Sequence, residues 1–125
     1  MKLIYNPEDV FVLEAEFSIN KDDNGLCSIG APKENNSHKL KFLAKGPMFS
    51  VVSSALEEAT YINHITGEPF VRSSLLYREL FPRVIVNISF DNNEFENIDV
   101  SSTPIDVINF NLVKLVCKTW MKNVL

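Results

Sequence analysis

The sequence predicts an α+β fold in which a small antiparallel sheet of N-terminal strands packs with three or so helices, the last a long C-terminal core helix. Three patterns carry that prediction. Residues 9–19 and 39–45 alternate apolar and polar side chains with the period of two that suits a half-buried strand. Residues 48–62 and 70–80 place apolar side chains at helical spacing. Residues 102–125 are apolar around most of a helix, with Asn111, Lys114, Lys118 and Lys122 falling into one narrow polar stripe. A helix of that kind is a central core helix or the docking element of an oligomer.

In the first strand Val10 and Val12, with Ala15, Phe17 and Ile19, are set against Phe11, Leu13, Glu14, Glu16 and Ser18. Residues 20–38 then collect Asp, Asn, Gly and Pro and read as a long flexible loop, disordered or holding a small extra hairpin, with Asn24-Gly25 a tight turn. Leu40, Phe42 and Ala44 form one face of a second strand, paired antiparallel with the first, and its lysines suit a solvent face or a blunted edge. Gly46-Pro47 stops it, and the helical pattern of Phe49, Val52, Leu56 and Ala59 follows. Residues 64–68, with Gly67, break that helix from a second one, which Pro82 ends or kinks.

Residues 83–90 fit a strand or a prolonged, kinked helix. Val84, Val86, Ile88 and Phe90 alternate, and strand is favoured because Val, Ile, Ser and Phe are enriched there and Asp91-Asn92-Asn93 follows as a turn. Residues 91–99 form an acidic loop. The last helix opens at Thr103-Pro104-Ile105-Asp106, with Thr103 as cap, Pro104 at the first helical position and Asp106 as a short capping box.

A chain of 125 residues is one domain, able to bury a core without staples. Its 46% apolar and 22% charged residues are ordinary for a globular protein, and nine Phe give the core bulk. A net charge of −4 without a run of Lys and Arg argues against nucleic-acid binding. The first seven residues lack the apolar region of an export signal, and no run approaches a membrane span. A cytoplasmic protein is expected, with Cys27 and Cys117 as reduced thiols.

Chemistry-bearing residues do not converge in the sequence. Residues 20–25 resemble the start of a calcium loop, but the first ligand is Asn20 and the position that needs a bidentate Glu is Ala31. Local backbone hydrogen bonds are the better account of Asp22 and Asn24. His38 and His64 have no ligand partner at metal spacing, and Cys117 falls on the apolar side of its helix, where a thiol is inert. Glu57 and Glu58 diverge by about 100° on a helix and make no acid–base pair. No phosphate loop or nucleophile elbow is present, so no catalytic residue, cofactor or metal is expected.

The order strand, strand, helix, Thr66-Gly67-Glu68, helix, Leu80-Phe81-Pro82, acidic linker and closing helix resembles the small tail assembly chaperones of long-tailed bacteriophages. Leu40-Lys41-Phe42 before a helix and Pro104-Ile105-Asp106-Val107-Ile108 opening the last one carry the similarity, which covers roughly the final two-thirds of the chain. The 20–37 loop is longer than in that group. The resemblance implies a phage or prophage protein, not an enzyme, that coats a tape-measure protein through apolar helix faces until tail-tube subunits replace it. Ile105, Ile108, Phe110, Leu112, Val116 and Trp120 are the candidate partner contacts, and ordinary core packing is the competing account of all six. A second reading is a small acidic adaptor or immunity-type protein that inhibits a partner protein through residues 91–99.

Overall fold

A computed structural model describes residues 3–125. Met1 and Lys2, part of the stretch read for an export signal, lie outside the described residues. The elements run β1 (Val10–Lys21), β2 (Cys27–Gly30), β3 (His38–Lys45), α1 (Phe49–Ala59), β4 (Thr60–Ile62), β5 (Pro69–Val71), α2 (Ser73–Val84), β6 (Ile85–Phe90), β7 (Ile98–Asp99), a single 3-10 turn (Ile105–Val107) and α3 (Phe110–Val124). Five strands form an antiparallel sheet in the order β2-β1-β3-β6-β7, and β4 and β5 form a separate hairpin. The α+β class and the C-terminal helix are as predicted.

The first two predicted strands pair antiparallel, Val10 opposite Lys45 through Phe17 opposite His38. Their faces are not those read from the sequence. Ala15 and Phe17 are buried, Phe11 and Leu13 pack beside the core, and Val10, Val12, Glu14 and Glu16 all point outward. A strand allows only one parity per face, so Val10 and Val12 cannot share a side with Ala15 and Phe17. The stronger run, 11–13–15–17–19, takes the core.

The 20–38 segment extends the sheet over part of its length, as the small extra hairpin. β1 continues to Lys21, turns at Gly25 (φ 81°), and returns as β2 with Ser18 opposite Gly30. Asp22 Oδ1 accepts the backbone N–H groups of Asn24 and Leu26, so its carboxylate is engaged in the turn. Farther on, Asn36 continues the β1–β3 ladder with its side chain. It donates to Ile19 O (2.6 Å) and accepts from Ile19 N (3.0 Å).

Pro82 does not end the second helix, which begins at Ser73 and runs on to Val84. The proline removes one N–H near the end of the helix, and buried Leu80, Phe81 and Val84 hold that last turn in the core. Residues 85–90 are a strand, with a register shift against β3 where Leu43 faces Asn87 and Ala44 faces Ile85. The shift places both Ile85 and Ile88 in the core, which strict alternation of 84, 86, 88 and 90 does not.

The C-terminal helix starts later than its sequence suggests. Thr103-Pro104 leads only into the 3-10 turn, Ile108 is extended, and Asn109 is the cap, its side chain accepting from Asn111 N (2.9 Å) and Leu112 N (3.2 Å). Two satisfied end N–H groups outweigh a proline at first position. From there α3 packs on α2 and on β1 and β2. Leu112, Val113, Val116, Cys117 and Trp120 enter one core with Phe17, Phe42, Leu80 and Phe81. Among the described residues, no helix is long and apolar enough to cross a membrane.

Candidate functional site

An apolar groove opens at the end of the sheet where β1, β2, β6 and β7 meet the segment leading into α3. Its volume is about 350 Å³, and Phe17, Ile19, Ile29, Phe90, Phe95 and Ile98 line it with Val107, Ile108 and Leu112. Cys27, Glu96, Thr103 and Asn109 are its polar members.

Three aromatic rings build one wall. Phe17 meets Phe90 edge-on at 6.1 Å and Phe95 at 6.4 Å, and Phe90 lies 5.3 Å from Phe95. Phe17 comes from the inward parity of β1, Phe90 ends β6, and Phe95 sits in the turn before β7. Asn92 holds that turn by accepting the N–H of Glu94 at its side chain and that of Phe95 at its carbonyl. An ion pair between Lys21 and Glu94 (3.7 Å) links the β1–β2 hairpin to the same turn. The opposite wall depends on the break between the 3-10 turn and α3. Because Ile108 is extended rather than helical, Val107 stands 72% exposed while Ile108 packs beside the core.

The six residues singled out in the sequence do not share one surface. Val116 and Trp120 are fully buried and Leu112 nearly so, with Trp120 Nε1 donating to Lys45 O (2.8 Å). Ile105 and Ile108 are partly buried, and Phe110 is 60% exposed. Only Ile108 and Leu112 reach the groove, while Ile105, Ile108 and Phe110 line a shallower cleft with Tyr77 and Arg78. The aromatic wall escaped the sequence reading, although the clustering of Phe90 and Phe95 around an Asp/Asn turn was visible.

Three of the four carboxylates in the acidic segment have partners within the chain. Asp91 accepts from Lys39 N, Glu94 pairs with Lys21, and Asp99 accepts from Ser101, whose hydroxyl holds the Asp99 carboxyl below its ordinary value. Cys117 is buried, and burial pushes its thiol up to about 12, so it stays protonated. Cys27 is exposed. Among the described residues no group of three His, Cys, Asp or Glu is placed to hold a metal ion. A second apolar surface lies on the β4–β5 hairpin, where Tyr61 stacks near Phe70, Arg72 covers the Tyr61 ring, and Ile62 and Ile65 face solvent. No family model matches the chain, and comparison with curated proteins and with solved structures returns no match.

Proposed function

We propose that this protein is a non-enzymatic holder of an apolar segment of another polypeptide, acting as a tail assembly chaperone that keeps a tape-measure protein soluble until tail-tube subunits replace it. The observation that supports the reading is the groove. It is open, walled by three phenylalanines and aliphatic side chains, and sized for one or two large apolar side chains. Such a surface gains free energy when an apolar side chain leaves water, and it makes no demand on the sequence of the client beyond hydrophobicity. The acidic-adaptor alternative is less favoured, because Asp91, Glu94 and Asp99 are already engaged within the chain.

The test is co-expression with the tape-measure protein, scoring the soluble fraction of the client. Val107→Glu places a charge on the exposed wall without touching the core. With Val107→Glu the client is expected to precipitate as it does with no chaperone, while the variant itself melts like wild type. Equal protection by the variant overturns the groove as the binding site. The tail-specific part of the reading has its own test. Immunoblotting of the N-terminally tagged native gene is expected to show a minor, longer frameshifted product, a feature the resemblance implies.

A further inference from the structure

The side of β1 turned away from β3 is open over most of its length among the described residues. β3 pairs with Val10–Phe17 from one side, whereas β2 reaches β1 from the other side only at Ser18–Lys21. Over residues 10–17 the side of β1 turned away from β3 therefore has no strand against it among the described residues. Parity follows from Asn36, which bonds both backbone groups of Ile19 on the β3 side, and from Ser28 Oγ, which donates to Asn20 O on the β2 side. Odd residues address β3. Val10, Val12, Glu14 and Glu16 present their N–H and C=O groups to the open edge.

Natural edges are usually short, bulged, or guarded by lysine or proline. This one has no proline or glycine, and its outward side chains begin with Val10 and Val12, 46% and 59% exposed. At its Glu16 end the edge runs into a cleft of about 410 Å³ against α3, lined by Glu16, Gly30, Pro32, Lys114 and Lys118 among others. Lys114 and Lys118 lie one helical turn apart, so a strand entering beside them meets two positive charges. Carboxylates at its leading end would be favoured there.

We propose that the occupant is a second copy of this chain, adding its own β1 antiparallel across a two-fold axis so that the two sheets become one. Even residues must face even residues, and centring the pairing on Leu13 sets Val12 of each copy opposite Glu14 of the other and Val10 opposite Glu16. No like charges are then opposed, whereas centring on Glu14 would set that carboxylate against itself. The ladder ends at Val10 opposite Glu16, because Gly30 already stands opposite Ser18, and there Glu8, exposed and just ahead of the incoming strand, turns off toward the cleft that holds Lys114 and Lys118. None of residues 10–16 lines the apolar groove, so the pairing leaves that groove open.

Sedimentation or light scattering of the full chain tests the proposal, with twice the 14.2 kDa chain mass expected at micromolar concentrations. Val12→Pro removes an N–H that faces the open edge and is compatible with an edge strand. It is expected to give a monomer with wild-type circular dichroism. Leu13→Cys in a Cys27→Ser background places two thiols at a two-fold, non-hydrogen-bonded pair, where Cα atoms sit about 4.5 Å apart. Mild oxidation is expected to link most of the chains as dimers, and Lys114→Glu with Lys118→Glu to weaken association by tenfold or more. A monomeric wild type overturns the proposal. So does a dimer that survives Val12→Pro and gives no cross-link in the Leu13→Cys variant, which would put the interface elsewhere, as on the β4–β5 hairpin. If Val12→Pro fails to fold, the cross-link alone decides.

Discussion

Replacing Trp120 separates the two roles its sequence position allows, core anchor and partner contact. The side chain is fully buried and its indole N–H donates to Lys45 O at 2.8 Å, tying α3 to the end of β3. Trp120→Ala removes the largest buried side chain in the molecule, and truncations of that kind cost about 3–5 kcal/mol. Trp120→Phe keeps most of the ring but leaves the Lys45 carbonyl without its donor, at a cost of roughly 1–3 kcal/mol. Against a net stability of about 5–15 kcal/mol, the alanine variant loses roughly a fifth or more of what holds the fold. For a domain of this size the melting temperature is expected to fall by roughly 10–25 °C for alanine and by a smaller amount for phenylalanine. Far-UV circular dichroism reads the transition, since tryptophan fluorescence is lost with the residue. A Trp120→Ala protein that melts within a few degrees of wild type would refute the core assignment and make Trp120 a partner contact again.

The remaining predictions concern local features. Asn109→Ala removes the side-chain acceptor for Asn111 N and Leu112 N and is expected to cost about 1 kcal/mol in urea titrations, whereas Thr103→Ala, at the start suggested by the sequence, should change stability far less. Ser18 is buried with a hydroxyl that has no hydrogen-bond partner among the described residues, so Ser18→Ala is expected to stabilise the protein by about 1 kcal/mol. Cys117 has its folded-state value raised from 9.0 to about 12 by burial. Its contribution is therefore present in full below the unfolded value and is lost as pH rises through the folded one, because the unfolded thiol ionises first. Stability of wild type should fall between pH 9 and 12 more steeply than that of Cys117→Ala, and a thiol reagent at neutral pH should label Cys27 in the native protein and both cysteines in denaturant.

Much of the architecture was legible because hydrophobic periodicity is a direct record of burial. The pairing of β1 with β3, the two middle helices and the apolar excess of α3 all follow from it. Where the reading failed, a tertiary constraint overruled a local signal. Pro104 marks a helix start in isolation, yet the extended conformation of Ile108 packs that side chain and hands the cap to Asn109. Pro82 reads as an end or a kink, yet three buried neighbours carry the helix past it to Val84. The register shift between β3 and β6 has no residue signature at all, and it decides which β6 side chains enter the core. The groove was illegible for a further reason. Its lining comes from five separate stretches of chain, and no single stretch contains enough of it to stand out.

The most direct test of the groove is a methyl NMR titration of isotope-labelled protein with a synthetic apolar segment of the tape-measure protein. Ile19, Ile29, Ile98 and Ile108 line the groove, whereas Ile62 and Ile65 lie on and beside the β4–β5 hairpin and Ile85 sits in the core. If the groove holds the client, the first four methyl signals shift together and saturably while the other three stay in place. Shifts confined to Ile62 and Ile65, or no shifts up to saturating peptide, would contradict it.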